Sequence, residues 1–165
     1  MVYNVDLLHP TMGEPNPEMF VDHLDLDISS DVNGVGVKAT TSIVLPNSAI
    51  LFSENLFGKH TEFGVNFNLI DFTGMFITKI DSCQSKKRPR DAFDLYVALK
   101  SGEIDFSTIA RIRKENSEIN QALNRLSTYL QKNNESFNQN VSRYANGSTI
   151  ESAAFELKDA IDKPH

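Results

Sequence analysis

The sequence predicts an α+β fold in which a small mixed or antiparallel sheet is followed by a helical lobe. Up to residue 71, short β-branched or alternating apolar runs are separated by Gly, Pro and Asn residues, which favour turns. From Phe72 onward, apolar residues recur every three or four positions, which is the period of an α-helix. Strands that come first and helices that follow are typical of α+β proteins. We therefore divide the chain into a β-rich part, residues 1–71, and a helical lobe, residues 72–165.

The β-rich part contains four segments with the character of strands. They are residues 2–8, 23–29, 35–45 and 65–70. The second is the clearest, because aliphatic residues alternate there with Asp25 and Asp27. Asn33 and Gly34 form a hairpin signal between the second and third segments. Residues 49–56 are apolar, but the run is too short to distinguish a helix from a strand.

The helical lobe begins with a predicted helix over residues 72–83. A second helix is expected between Pro89, which suits a first-turn position, and Gly102, which is a good C-terminal stop. Further helices are predicted over residues 106–132, 137–144 and 149–161. The longest of them carries a single apolar stripe, formed by Ile112, Ile119, Leu123, Leu126 and Leu130. We interpret this stripe as intramolecular core in preference to a partner surface.

The composition indicates a globular protein with an acidic balance. Hydrophobic residues make up 40% and charged residues 23% of the 165 residues, and the formal net charge is −6. An acidic chain is a poor general binder of nucleic acid, because phosphate contacts need Lys and Arg in excess. A basic run at residues 86–90 is the local exception.

The cysteine content and the first residues indicate the cellular compartment. Cys83 is the single cysteine, so an internal disulfide is excluded and a reducing compartment is expected. It lies in a predicted helix with no histidine nearby, which favours an inert thiol over a nucleophile. The first residues lack the pattern of a signal peptide, and no run approaches the roughly 18 apolar residues of a membrane span. We expect a cytoplasmic protein.

Lys79, Asp91 and Asp94 are the candidates for chemistry in the helical lobe. Lys79 lies on or beside the apolar stripe of its helix, where it either extends its ammonium group to the edge or points into a cleft to hold phosphate. Asp91 and Asp94 begin the next helix, where carboxylates complement the helix dipole by about 0.3–1 kcal/mol each. Asp91 is also placed to pair with Lys79 or with an arginine. From the residues themselves, the structural and functional interpretations are balanced.

Four short motifs follow one another along residues 2–100. They are a hydrophobic-Asp-hydrophobic-Leu strand end at residues 5–8, a strand and a lysine-bearing helix at residues 68–81, a basic loop at residues 86–90, and Arg-Asp-x-x-Asp-Leu-Tyr at residues 90–96. In their order and spacing they resemble the C-terminal part of a polymerase-β-type nucleotidyltransferase domain. Domains of this kind occur in bacterial abortive-infection and toxin–antitoxin systems.

The resemblance implies a nucleotide-binding transferase that uses Mg²⁺ to move a nucleotidyl group from an NTP to a protein, RNA or small-molecule acceptor. By this resemblance, Asp6 is the third catalytic carboxylate, which activates the acceptor or holds the metal. Lys79 contacts the triphosphate, and Asp91 orients Lys79 or a nearby base. Arg88 and Arg90 are candidates for phosphate contacts.

The sequence departs from the family at its first metal-binding motif, a Gly-Ser turn followed about ten residues later by Asp-x-Asp. In the family this unit precedes the strand of the Asp6 type, and nothing precedes that strand here. We therefore expect either a fragment or a chain with little transfer activity. The alternative is that Gly13-Glu14 with Asp25 and Asp27 serves as the motif, although a glutamate then replaces the phosphate-binding serine.

Two further classes of function remain open from the sequence. One is a non-catalytic binding or interaction module, and the other is a nucleic-acid contact through the basic run at residues 86–90. The nucleotidyltransferase interpretation makes a geometric prediction. Lys79 and Asp91 should approach within about 4 Å, and both should face a cleft shared with the strand that carries Asp6.

Overall fold

The computed structural model describes residues 8–9, 21–24, 40–44, 48–62 and 64–164. The chain forms two compact units, Met1–Asn55 and Leu56–His165. The first contains a small sheet and a short helix, and the second contains a β-hairpin and most of the helices. The predicted α+β class is therefore confirmed.

The first unit contains a three-stranded mixed sheet. Its strands are β1 (Leu8–His9), β2 (Val21–Leu24) and β3 (Thr40–Val44), and a helix, α1 (Ser48–Ser53), follows. Strand β3 lies in the centre, parallel to β1 and antiparallel to β2. The apolar run whose type the sequence left open is thus helical over most of its length. The remainder of the three predicted strands lies outside the described residues.

The second unit begins with an antiparallel hairpin. Strand β4 (Phe57–Glu62) pairs along its full length with β5 (Val65–Ile70). Gly64 sits in the turn with a φ of 77°, a left-handed conformation that glycine adopts without a steric penalty. Strand β5 coincides with the prediction, whereas β4 was not predicted.

Two helices and a turn of 3₁₀-helix follow the hairpin. Helix α2 (Phe72–Lys79) is capped by Asp71, whose Oδ1 accepts a hydrogen bond of 2.7 Å from the Gly74 amide. After the 3₁₀-helix at Ser82–Gln84, helix α3 (Pro89–Ser101) begins at Pro89 and ends at Gly102, which has a φ of 72°. The predicted start and stop of this helix are confirmed.

The predicted helix over residues 106–132 is wrong, because two helices occupy this region. They are α4 (Phe106–Glu115) and α5 (Ser117–Lys132). Asn116 leaves the helical conformation, and its side chain accepts hydrogen bonds of 3.0 and 3.1 Å from the amides of Glu118 and Ile119. Asparagine competes for backbone donors in this way and is therefore a favoured N-cap.

The last two predicted helices are present with shifted starts. They are α6 (Asn134–Tyr144) and α7 (Ala153–Asp162). The core of this unit lies between α2, α3, α5, α6 and α7. Its fully buried side chains include Phe76, Leu95, Phe137 and Leu157. The five residues of the predicted apolar stripe are also buried, which confirms their interpretation as core. No helix within the described ranges is both long and apolar enough to cross a membrane.

Candidate functional site

Lys79 and Asp91 meet where α2 and α3 pack against each other. Lys79 is the last residue of α2, and Asp91 lies in the first turn of α3. The Nζ atom of Lys79 donates a hydrogen bond of 2.6 Å to Oδ1 of Asp91. The same Nζ atom lies 3.4 Å from Oδ2 of Asp94, one turn further along α3. The predicted approach of Lys79 to Asp91 is confirmed.

The Asp91 carboxylate is almost completely enclosed. Its side chain is 8% exposed, against 24% for Lys79 and 22% for Asp94. A buried carboxylate without a partner loses its hydration at a large cost, and the ammonium group of Lys79 offsets that cost for Asp91. The position of Asp91 in the first turn of α3 adds the favourable field of the helix dipole.

One oxygen of Asp91 is not satisfied by the contact with Lys79. Oδ2 is buried and accepts no hydrogen bond from any residue that the structure describes. Nη1 of Arg88 lies 3.9 Å from Oδ2, which is too long for a hydrogen bond. Asp91 therefore retains the capacity to accept one more donor, such as a reoriented Arg88 side chain or a water molecule.

Two arginines border the carboxylates on the solvent side. Arg88 is the N-cap residue of α3, and Arg90 follows Pro89 within the first turn. Nε of Arg90 lies 3.6 Å from Oδ1 of Asp94. Both side chains remain open to solvent, with exposed fractions of 57% for Arg88 and 75% for Arg90.

We call the cluster of Lys79, Arg88, Arg90, Asp91 and Asp94 the α2–α3 charge cluster. Three cations surround two carboxylates, which leaves one net positive charge before Lys86 and Lys87 of the adjoining loop are included. Arg88, the N-cap residue of α3, makes no side-chain capping hydrogen bond, and the dipole of this helix also attracts negative charge. The arrangement can bind an anion through its exposed arginines while the carboxylates hold Lys79 in place.

Cys83 lies in the core close to this cluster. It is fully buried in the 3₁₀-helix, and its Sγ donates to the carbonyl oxygen of Ile80 at 3.5 Å. Burial raises the pKa of the thiol well above its ordinary value, and the negative charges of Asp91 and Asp81 raise it further. A thiol that stays protonated is a poor nucleophile, in agreement with the sequence interpretation.

The other predicted site residues lie elsewhere. Asp6, Asp25 and Asp27 fall outside the described residues, so a cleft shared by Asp6 and Lys79 remains a prediction. Among the described residues, no group of three or more His, Cys, Asp or Glu side chains is arranged to hold a metal ion. Asp91 and Asp94 do not fit Mg²⁺ in this arrangement, because the Lys79 ammonium group already occupies the cation position between them.

Sequence reasoning missed two contacts of this region. It placed Asp94 on the same helix face as Asp91, toward the preceding helix, but did not predict that Asp94 would lie 3.4 Å from Nζ of Lys79. It also missed the pair between Arg125 on α5 and Asp81, with Nη2 at 2.9 Å from Oδ1. No local pattern could have indicated a contact between residues 44 positions apart.

Comparison with known proteins assigns no family to the chain. No protein-family model matches the sequence, and the comparisons with curated proteins and with solved structures found no match. The described part of the chain therefore defines an α+β protein with a partly buried charge cluster between two consecutive helices. Its function must be argued from that cluster.

Proposed function

We propose that this chain is a nucleotidyltransferase-like protein that binds the phosphates of an NTP at the α2–α3 charge cluster. The observation that carries the proposal is the 2.6 Å contact between Lys79 and the buried Asp91, with two exposed arginines at its edge. An immobilised ammonium group beside mobile guanidinium groups is a common arrangement for phosphate recognition. The motif order in the sequence supports the same assignment.

Each member of the cluster has a distinct role in this proposal. The Lys79 ammonium group has three N–H donors, of which Asp91 and Asp94 can take two. The third can reach a phosphate oxygen, because about a quarter of the side chain is open to solvent. Asp91 is a positioning residue that fixes the lysine. Arg88 and Arg90 supply planar, bidentate donors to the phosphate oxygens.

Transfer of the nucleotidyl group depends on residues outside the described ranges. In the proposal, Asp6 activates the acceptor or holds Mg²⁺, and Asp25 with Asp27 is the alternative metal-binding pair. If neither assignment holds, the chain binds NTP with little or no transfer. Incubation with labelled NTP and Mg²⁺ distinguishes the cases, because robust transfer that Asp25→Ala abolishes would assign the metal-binding motif to that segment.

The proposal includes a biological setting, which the motif order suggests. Proteins with these motifs act in bacterial abortive-infection and toxin–antitoxin systems, so we place the chain in the cytoplasm. The buried free thiol of Cys83 is compatible with a reducing compartment. The non-catalytic alternative, a partner-binding module, would need a surface other than the apolar stripe, because that stripe is buried in the core of the chain.

Isothermal titration calorimetry with ATP, with and without Mg²⁺, tests the binding site. We expect a Kd tighter than about 1 mM, which corresponds to about −4 kcal/mol and requires two or three charge-assisted hydrogen bonds. The double variant Arg88→Gln/Arg90→Gln should weaken binding by at least about tenfold per arginine. Both side chains are largely exposed, so the fold should persist.

Lys100→Gln is the charge control, which removes one positive charge where the double variant removes two. Lys100 lies at the other end of α3, is 56% exposed and forms an ion pair of 2.9 Å with Glu156, so its loss changes the net charge without touching the cluster. ATP affinity should be unchanged in this variant. Equal weakening by the control and the double variant would contradict the proposal, as would no ATP binding by the unmodified chain.

A further inference from the structure

An open surface groove lies between α5 and the 3₁₀-helix at Ser82–Gln84. Its volume is about 560 Å³, and its lining residues are polar or charged, although their apolar atoms contribute most of the exposed lining. Its lining has four amide side chains, two cations, a hydroxyl group and a tyrosine ring, and it has no carboxylate. The lining residues are Gln84, Gln121, Asn124, Arg125, Thr128, Tyr129, Lys132 and Asn133. In a chain with a net charge of −6, a groove lined by cations and amides is a local exception.

Both cations of the groove keep at least one donor for a phosphate, although the charge of Arg125 is paired with Asp81. Arg125 bonds Asp81 through Nη2 and Nε, which leaves Nη1 for another acceptor, and its side chain is 54% exposed. Lys132 is exposed at the end of α5 and forms no ion pair with any residue that the structure describes. Each can therefore contact a phosphate without breaking an internal bond.

The amide groups of the groove are partly preorganised. Nη2 of Arg113 donates to Oδ1 of Asn124 at 2.6 Å, and its Nε donates to Oδ1 of Asn120 at 3.0 Å. These contacts turn the Asn124 oxygen toward Arg113, and Nδ2 of Asn124 donates to Oδ1 of Asn120 at 3.4 Å, so the second N–H of that amide is the donor left for a ligand. Arg113 also adds a third positive charge beside the groove.

The basic loop follows the groove residue Gln84 along the chain. Gln84 precedes Lys86 by two residues, so their Cα atoms are at most about 7.6 Å apart. Lys86 and Lys87 are both exposed. The exposed basic loop therefore begins next to the groove along the chain.

We propose that the groove and the basic loop bind single-stranded RNA. The four cations Lys86, Lys87, Arg125 and Lys132 would contact successive phosphates. The amides of Gln84 and Asn133 each donate one N–H to a backbone carbonyl and keep a second N–H and the oxygen, which match base edges that only an unpaired strand presents freely. The same amides and Thr128 can bond the 2′-hydroxyl, which distinguishes RNA from DNA. The inference does not depend on NTP binding, because the groove residues are distinct from the charge cluster.

Fluorescence anisotropy with a labelled 12-nucleotide RNA of mixed sequence tests the proposal. Four phosphate contacts predict that log Kobs falls with log salt at a slope of about −2.8. Arg125→Gln/Lys132→Gln should reduce the slope by about 1.4 and weaken binding on the order of fifty-fold at about 50 mM salt. Lys158→Gln/Lys163→Gln, at Lys158 of α7 and at its C-cap residue Lys163, is the control, because it removes the same charge from i,i+4 ion pairs.

Further measurements distinguish specific RNA binding from misfolding, charge attraction and DNA binding. If circular dichroism shows that the double variant is misfolded, Lys132→Gln serves instead, with an expected slope change of about 0.7. If the groove and control variants lose RNA affinity equally, the RNA is attracted by the net charge of the chain, and the proposal is overturned. DNA of the same sequence that binds as tightly as RNA would overturn the RNA assignment. No RNA binding by the unmodified chain at about 50 mM salt would refute the site altogether.

Discussion

Replacing Lys79 by methionine removes the nearest cation from the buried Asp91 carboxylate while keeping most of the apolar stem. Methionine cannot bond Oδ1, and Oδ2 already lacks a hydrogen bond within the described structure. Breaking a buried ion pair by removing one partner costs about 3–5 kcal/mol. The partial exposure of Lys79 and the residual charge of Arg88 at 3.9 Å favour the lower end, about 3 kcal/mol.

A double-mutant cycle isolates this interaction. Asp91→Asn leaves Lys79 with Asp94 at 3.4 Å and should cost less, about 1 kcal/mol. In Lys79→Met/Asp91→Asn no buried charge remains unpaired at this position. The double variant should therefore be more stable than the sum of the single effects implies, with a coupling energy of about 1–2 kcal/mol.

Urea unfolding followed by circular dichroism measures these free energies. With a slope near 2 kcal/mol per molar, Lys79→Met should lower the midpoint by about 1.5 M. Lys100→Met is the control, because the Lys100–Glu156 pair is exposed and worth less than about 1 kcal/mol. If Lys79→Met costs no more than the control, Asp91 does not depend on Lys79 and the reasoning is refuted.

Three further predictions concern the helical unit. Asn116→Ala should lower the free energy of unfolding in urea by about 1 kcal/mol, and Asn116→Gly by only a few tenths, because glycine is a tolerated N-cap. Equal costs for the two variants would contradict the cap assignment. Hydrogen bonds from Ser107 and Thr108 lower the pKa of Asp105 to about 2. Ionised Asp105 should therefore stabilise the fold above its unfolded pKa of about 3.9, and this stabilisation should be lost as the pH falls through about 2. Asp105→Ala should flatten this part of a profile of unfolding free energy against pH. Cys83 should react with a thiol reagent far more slowly in the native state than in urea, and equal rates would show that it is not buried.

Much of the fold could be predicted because its signals are local. Pro89 and Gly102 mark the ends of α3 through their own backbone preferences, and the alternation of apolar residues with asparagine in β5 needs no partner to be recognised. The break at Asn116 was missed because Ile112 and Ile119 are seven residues apart and keep the helical period across it.

What escaped prediction depends on tertiary contacts. Strand β4 contains Gly58 and Lys59, which have low strand propensity, and it is held by pairing with β5. The Lys79–Asp91 contact was predictable because both helices are adjacent in sequence and joined by a short loop. The groove along α5 was not, since Gln84 and Lys132 come together only through packing.

The binding of nucleotide phosphates at the N-terminus of α3 is the central claim, and titration of the ¹⁵N-labelled chain with ATP in two-dimensional NMR tests it most directly. The account predicts that the amide signals of Arg90, Asp91 and Ala92 shift with ATP in a saturable way and stay in place with adenosine, which lacks the phosphates. ATP and adenosine that produce the same shifts, or ATP shifts confined to other parts of the chain, would contradict it.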